Sequence, residues 1–519
     1  MKAPTLRTFQ TVHTWTGLLA GFALFIAFYA GALTVFHDAI AAWQNPPWRS
    51  APDAHVPLSA LVDRFIALNP KARSDFGVVL PSDNAHAAYV FWLSDQGSRY
   101  ATFSQLAAPR DETDPGDLAD FVYALHDSLG WPTVGLYIMG LASVLYGLAL
   151  VSGLLIHLPH LVSDLFAMRV GRNLKRLWQD AHNAIGVVSL PFHIIFAVTG
   201  ALLCLFTPTL AALNAMAFGG KLYGQFAQAV ATAPTLPASG SGAIMQAPEA
   251  LIAHARQAAL ASDVTTFDPD YVHFVNYGDR NAVVEVRGKS LHTLATYGDV
   301  ALAGADGRVL STYVGSRHSI NTGSNSAMYG LHFGTFGGAA LRWLYLALGL
   351  AGAFLFYSGN LLWIESRRKR RHLDQPRRTR VMARATIGVC IGTCLGISGA
   401  FAAVSLSAYI DVDVGVAQRV AFYGLLAAAL VYAFARPIPR AAVHLLSATA
   451  ALTALVACAD LARNASAFAA DFSEPARTVL GVDLTGLALA WIFARLAIAA
   501  ARRAHSGDPY SVWSTRVST

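Results

Sequence analysis

Charged residues are scarce in this chain. Of its 519 residues only 13% are Asp, Glu, Lys or Arg, whereas 55% are hydrophobic, and the mean hydropathy is +0.43. A soluble domain carries about a quarter charged residues. The composition therefore excludes an ordinary soluble protein and predicts an integral membrane protein surrounded by lipid.

Cysteine is also rare, with four residues in the chain. All four lie in apolar runs, and the long polar segments at 38–133 and 207–339 contain none, which excludes a disulfide framework in those segments. Cys390 and Cys394 are four residues apart and share a helix face. We interpret them as small helix-packing residues, and a thiolate metal or redox pair is the alternative.

Long apolar runs, in contrast, are plentiful. Eight of them are long enough to cross a membrane. They lie at about 14–37, 134–157, 183–206, 340–364, 383–408, 419–436, 439–459 and 479–501. We predict an all-α polytopic membrane protein with about eight transmembrane helices, interrupted by two α+β modules.

Basic residues recur in connections that fall on one side of this topology. They cluster at Arg169–Arg176, Arg367–Arg371, Arg436–Arg440 and Arg502–Arg503. The N-terminus is on the same side, and the positive-inside rule makes that side cytoplasmic. This predicts a multi-pass protein of the bacterial cytoplasmic (inner) membrane with both termini in the cytoplasm. The net charge of +7 is thus a topology signal and does not indicate nucleic-acid binding.

The polar segments divide the chain into parts. We predict the first transmembrane helix at 1–37, a first outer module at 38–133 and helices 2 and 3 with a basic loop at 134–206. A second outer module follows at 207–339, then helix 4 with a basic loop at 340–382 and a C-terminal four-helix bundle at 383–519. Helix, module, helix thus occurs twice, which suggests an internal duplication. The sequence of this bundle contains no cluster of residues that suggests a catalytic or binding site.

Histidine recurs at the ends of the apolar runs. His13 and His182 open the first and third runs from the predicted cytoplasmic side, whereas His126 and His332 precede the second and fourth from the outer side. An imidazole in or beside a bilayer is costly unless it is bonded. Haem iron held by two histidines is the usual ligand for such an arrangement. These residues form two pairs at two depths, His13 with His182 and His126 with His332, and we predict two b-type haems; a different pairing through His193 and interfacial polar roles are the alternatives.

Two further histidines are candidate ligands. His193 follows His182 by 11 residues, so it shares the helix face at roughly 16 Å greater depth. His37 ends the first run beside Asp38, and an interfacial hydrogen-bonded role fits it as well as ligation does. Small residues near the histidines allow close approach of a flat macrocycle or of another helix; they are Gly17, Gly186 and Gly334.

A nucleotide-binding fingerprint is missing. The glycine-rich stretch Gly330–Gly337 precedes an apolar run and does not open a Rossmann helix. A redox role would therefore need an external electron donor, either a cytoplasmic reductant or a membrane quinol.

The motifs at the span boundaries resemble those of the PepSY-associated transmembrane family, which includes bacterial inner-membrane ferric-siderophore reductases. The resemblance covers about residues 7–372. It is carried by Val12–Leu18, Leu125–Gly130, Ser152–Leu154, Asp180–Gly186, Leu331–Gly338 and Ser358–Trp363. It implies that the outer modules are periplasmic PepSY-like domains.

The resemblance also implies a function. Siderophore-reducing members carry haem b and reduce a ferric siderophore on the periplasmic side, which releases iron. Electrons would then enter near His13 and His182 and leave near His126 and His332. One alternative is an iron-chelate transporter, but we expect the spans to lack the buried carboxylates that transporters use. Another alternative is a membrane-anchored PepSY binding or regulatory protein.

Overall fold

The computed structural model describes residues 3–46, 53–81, 87–95, 97–111, 118–158, 174–291, 293–369, 372–407, 409–410, 412–470 and 474–515. These residues form two compact units. The helical unit comprises Met1–Gln44, Pro115–Phe206 and Leu344–Thr519, and the sheet unit comprises Asn45–Asp114 and Thr207–Trp343. Most of the basic loop predicted after the second run, at residues 159–173, lies outside the described residues, as do Arg370 and Arg371.

Eight described helices are long and apolar enough to cross a membrane, which confirms a multi-pass membrane protein. We call them spans 1 to 8. In chain order they are Pro4–Thr34, Val134–His157, Leu190–Met216, Thr335–Ser366, Arg377–Ser407, Val414–Ala435, Ile438–Ala470 and Ala476–Ser506. Spans 6 and 7 are separated at the predicted place, because Pro437 and Pro439 lack the N–H groups that a continuous helix needs.

The third span differs from its predicted bounds. It begins at Leu190, and His182 lies in a separate preceding helix, Leu174–Val188. The break is at Ser189, whose hydroxyl donates to the carbonyl of Ile185 at 2.5 Å. Pro191 follows directly and cannot donate to the preceding turn. The sequence pattern did not resolve this break because apolar residues continue on both sides of it.

Glycines bring the spans of the helical unit close together. Gly349 and Gly352 in span 4 pack against Ala32 and Phe28 of span 1. Span 5 contains a π-helical stretch, Ile387–Ile391, and places a row of glycines against span 6. Such small residues allow the close helix contact that membrane packing requires. The four C-terminal spans belong to the same compact unit as spans 1 and 2.

The sheet unit is built on one eight-stranded antiparallel sheet with the order β4-β3-β2-β1-β5-β6-β7-β8. The strands are β1 Asp75–Val79, β2 Tyr89–Ser94, β3 Gly97–Thr102, β4 Arg110–Asp111, β5 Asp268–Val275, β6 Val283–Lys289, β7 Tyr297–Ala303 and β8 Val309–Tyr313. The two predicted modules thus contribute four strands each, and their first strands, β1 and β5, pair at the centre. The sequence predicted the two halves but not this pairing.

One face of the sheet carries the hydrophobic core. The helices Leu58–Leu68 and Pro248–Leu260 cover it. Phe76 of β1 stacks on Phe274 of β5 with ring centroids 4.8 Å apart, and Phe65 packs on Phe76. Because side chains alternate along each strand, the opposite face carries polar and aromatic residues.

Candidate functional site

Two of the predicted ligands lie side by side in the helical unit. The ring centroids of His13, in span 1, and His182, in the helix Leu174–Val188, are 6.1 Å apart, and the ring planes are 82° apart. The two residues are far apart in the sequence, so the fold brings them together. Both residues are half-buried.

Each of these rings is held by a carbonyl group of another span. His13 Nδ1 lies 2.8 Å from the carbonyl oxygen of Ala149 in span 2. His182 Nδ1 lies 3.1 Å from that of Leu355 in span 4, with the Ser358 hydroxyl at 3.3 Å. A carbonyl only accepts, so Nδ1–H donates, and the neutral ring keeps its lone pair on Nε2. This arrangement is typical of metal-ligating histidines, whose second nitrogen is fixed by a hydrogen bond.

His126 shows the same arrangement on the helix Leu118–Ser128. Its Nδ1 lies 2.8 Å from the carbonyl oxygen of Ala27 in span 1. Along span 1, Ala27 is 14 residues beyond His13, which corresponds to roughly 21 Å of helix. His126 is therefore held far from the His13–His182 pair.

A glycine lies against each of the three rings, four residues after the carbonyl that accepts the hydrogen bond. These glycines are Gly31 for His126, Gly153 for His13 and Gly359 for His182. A Cβ at Gly31 would lie 2.5 Å from His126 Nδ1, and one at Gly153 would lie 3.0 Å from His13 Cε1. We call each combination of carbonyl, glycine and imidazole a histidine socket.

The distance between the paired rings fits one iron atom. A metal–imidazole bond is about 2 Å long and the ring nitrogen lies roughly 1 Å from the ring centre, so two axial imidazoles have centroids roughly 6 Å apart. The 6.1 Å between His13 and His182 agrees with this value. Axial imidazoles rotate about their metal bonds, so an angle of 82° between the planes is compatible with ligation.

The glycines singled out in the sequence fit a macrocycle beside this pair. Gly17 and Gly186 each follow a ligand candidate by four residues. A Cβ at Gly17 would meet nothing within 4 Å, and one at Gly186 would meet only Leu355 Cδ1 at 3.8 Å. Gly334 has another role, since it ends the helix Ile320–Phe333 with a φ of 64°. His13 and His182 thus offer two imidazoles, with space for a flat ring beside Gly17 and Gly186.

His332 belongs to the sheet unit. It lies in the last turn of the helix Ile320–Phe333, and its ring contacts Phe333 with centroids 5.4 Å apart. Its side chain is half-buried. Its pairing with His126 stays a prediction from the sequence.

His193 does not have a nitrogen left for iron. It is fully buried, its Nδ1 lies 2.5 Å from the Tyr146 hydroxyl, and its Nε2 lies 2.9 Å from the Ser189 hydroxyl. Ser189 donates its own proton to the Ile185 carbonyl, so Nε2–H donates to Ser189 and Nδ1 accepts from Tyr146. This geometry favours a structural role and speaks against the ligand role that helix spacing suggested.

His37 lies between two carboxylates. Its Nε2 is 3.1 Å from Asp120 Oδ1, and its Nδ1 is 3.5 Å from Asp38 Oδ1. Burial lowers the pKa of His37, but the hydrogen bonds and charges of Asp120 and Asp38 outweigh it and raise the pKa to about 10. A protonated imidazole has no lone pair for iron. Of the two roles left open by the sequence, the structure favours the interfacial one.

We expect the contribution of His37 to stability to depend on pH. Its pKa in the folded protein lies above the value of about 6.5 for an unfolded chain. The stabilisation is therefore complete below about pH 6.5, declines above it and is lost as the pH passes about 10. Thermal unfolding of the wild type and of His37→Gln at about pH 6, 8 and 10 should show a difference in melting temperature that shrinks in this order. A difference that is independent of pH would contradict the ion pair.

The sequence missed the residues that hold the histidines. Ala27, Ala149 and Leu355 act through backbone carbonyls, which carry no sequence signature. Gly153 and Gly359 do share one signal, because each directly follows a serine near the end of its span. That repeated Ser-Gly pair was visible, but its contact with an imidazole from another span was not.

Comparison with known proteins agrees with the motifs. Residues 10–366 match the family described as the PepSY-associated TM region. An uncharacterized protein of Pseudomonas aeruginosa, PA4219, is 28% identical over 289 residues, which cover 53% of this chain and 69% of the relative. The family match covers well over half of the chain and includes all three sockets and His332. The family predicted from the motifs is confirmed, and the chain belongs to the PepSY-associated transmembrane family.

Proposed function

We propose that this protein is a b-type haem electron-transfer protein of the bacterial inner membrane that reduces a ferric siderophore on the periplasmic side. The observation that carries the proposal is the His13–His182 pair, with centroids 6.1 Å apart and each Nδ1 hydrogen-bonded to a neighbouring span. In this proposal the termini are cytoplasmic, and the sheet unit is periplasmic and PepSY-like.

The residues have defined tasks in this function. His13 and His182 would bind one haem, and His126 would hold a second. Bound haem supplies one-electron transfer at a potential that the axial ligands and their hydrogen bonds adjust. The carbonyls of Ala149 and Leu355 accept from Nδ1–H and fix the orientation of each ring. The donor would be a cytoplasmic reductant or a quinol.

An aromatic face of the sheet unit supports binding of the substrate. On the side opposite the core, Tyr89 of β2 and Tyr100 of β3 form an edge-to-face pair with centroids 6.4 Å apart. The Arg287 guanidinium lies 5.7 Å from the Tyr271 ring centroid, and the Lys289 ammonium group lies close to Tyr297. Flat aromatic groups of an iron chelate would stack on such a face. Reduction of the bound ferric ion weakens its hold on hard oxygen donors.

The test of this function is a dithionite-reduced minus air-oxidised visible spectrum of the purified protein, with haem counted per chain. We expect low-spin b-type bands at about two haems per chain. The reduced protein should then be reoxidised by a ferric siderophore faster than by the same chelator loaded with a redox-inert trivalent metal.

Two other results would contradict the proposal. A colourless protein that binds no added haem would favour the regulatory alternative, in which the sheet unit is the active part. Uptake of an iron chelate into sealed vesicles without any reductant would favour a transporter.

A further inference from the structure

Spans 7 and 8 bury two carboxyl groups that the sequence analysis did not anticipate. Asp460, in span 7, is 0% exposed, and Asp483, in span 8, is 2% exposed. Carboxyl groups inside a transmembrane bundle are costly and mark functional sites more often than structural ones. The expected lack of buried carboxylates in the spans was therefore wrong, because the sequence could not show that these two residues face the interior.

The two carboxyl groups have different partners. Asp460 forms an ion pair with Arg463 and accepts from Asn464 Nδ2 at 2.7 Å. Asp483 Oδ1 accepts from Trp43 Nε1 at 2.9 Å. Trp43 is itself buried, in the helix His37–Gln44 that follows span 1. Asp460 thus has the donors that stabilise a carboxylate, and Asp483 has one neutral donor among the residues that the structure describes.

The second side-chain oxygen of Asp483 suggests that this carboxyl group carries a proton. Within the described part of the chain, Oδ2 of Asp483 has no hydrogen-bond donor, although it is completely buried. The side chains of Asp483 and Asp460 are within hydrogen-bonding reach of each other. Two carboxyl groups in contact do not both ionise, and one proton shared between them removes the repulsion.

The charges near Asp483 also argue for one proton shared by the two carboxyl groups. Of the described groups that act on Asp483, Arg463 is the cation, and it is paired with Asp460. An ionised Asp483 would add a second negative charge to a single positive one. A protonated Asp483 donates its O–H to Asp460, which gives Oδ2 a partner and leaves the cluster neutral.

We propose that Asp460 and Asp483 form a proton-binding site in the C-terminal bundle, with the proton on Asp483. Asp460, which contacts Arg463 and Asn464, is the acceptor, and Trp43 orients Asp483. A buried carboxyl group that holds one proton beside a fixed carboxylate is suited to proton uptake and release within a membrane. The inference does not depend on haem binding.

Infrared spectroscopy of the full-length protein tests the proposal directly. The wild type minus Asp483→Asn difference spectrum at neutral pH should contain the C=O stretching band of one protonated carboxylic acid, shifted in D₂O. The control is Asp413→Asn, which removes the exposed carboxyl group that caps span 6. Its difference spectrum should show the loss of an ionised carboxylate. A wild type minus Asp483→Asn spectrum with carboxylate bands alone would overturn the proposal.

Thermal unfolding gives a second measurement. The amide introduced by Asp483→Asn would reproduce the protonated acid, because its oxygen accepts from Trp43 and its NH₂ group donates to Asp460. Asp483→Asn should therefore unfold within about 2 °C of the wild type, whereas Asp460→Asn should unfold several degrees lower because Arg463 loses its counter-ion. A stabilisation of the wild type by added sodium that Asp483→Asn lacks would instead identify a metal cation as the ligand and overturn the proton assignment.

Discussion

Replacement of His182 by alanine is expected to lower the haem content from about two to about one per chain. The change removes the partner of His13 at 6.1 Å, and an iron with one remaining imidazole is no longer held between spans. The remaining haem should keep its low-spin spectrum, since His126 is held by span 1 and not by the His13–His182 pair. Haem per chain and the reduced minus oxidised spectrum measure both effects.

His444→Ala is the matched control for this result. His444 also lies in a span, and its Nδ1 is 2.5 Å from the Tyr432 hydroxyl, with no ligand candidate among the partners that the structure describes. Its removal should leave both haems in place. Retention of both haems in His182→Ala, with an unchanged spectrum, would remove the main support for the site.

Substitution of Gly31 by alanine should have a comparably large effect although it adds one methyl group. The new Cβ would lie 2.5 Å from His126 Nδ1 and 2.8 Å from Cε1, closer than real contacts of this kind. The ring has to move away from span 1, and its hydrogen bond to the Ala27 carbonyl is lost. We expect loss or a high-spin shift of the haem held by His126, with the other haem unchanged.

Gly21→Ala is the control on the same helix. A Cβ at Gly21 would meet only Asn360 Oδ1, at the ordinary contact distance of 3.6 Å. Both substitutions replace glycine by alanine and therefore raise the helix propensity of span 1 by the same amount. The comparison thus isolates the contact with His126. Equal spectra for the two variants would show that the socket at Gly31 does not position the imidazole.

The spans were predictable because their signal is local. A run of about 20 apolar residues with few charges defines a transmembrane helix without any knowledge of its neighbours. The histidines at the ends of these runs were visible for the same reason. Helix spacing alone, however, suggested His193 as a ligand, because it places a residue on a face but does not show that Tyr146 and Ser189 occupy both ring nitrogens.

Contacts between distant segments were beyond the sequence. The partner of His37 is Asp120, and Asp483 of span 8 meets Trp43 from the first segment of the chain. Each pair depends on how several helices pack, and no periodicity encodes it. The pairing of β1 with β5 belongs to the same class.

The duplication was suggested by the order of elements, and the sockets give it residue-level detail. His13, Gly17 and Gly31 have the same spacing as His182, Gly186 and Gly200. His126, Ser152 and Gly153 likewise have the spacing of His332, Ser358 and Gly359. By this repeat His332 is the counterpart of His126.

The central β1–β5 pair also sets the timing of folding during synthesis. Asp75–Val79 pairs with strand residues that follow about 200 positions later, after two further spans. At a ribosomal rate of about 5–20 residues per second, β1 waits roughly 10–40 s for its partner. Until then the edge of β1 that later pairs with β5 presents unpaired N–H and C=O groups. Such groups lead strands of neighbouring chains to associate. The first half of the sheet therefore has an unpaired edge strand until the ribosome completes the second half.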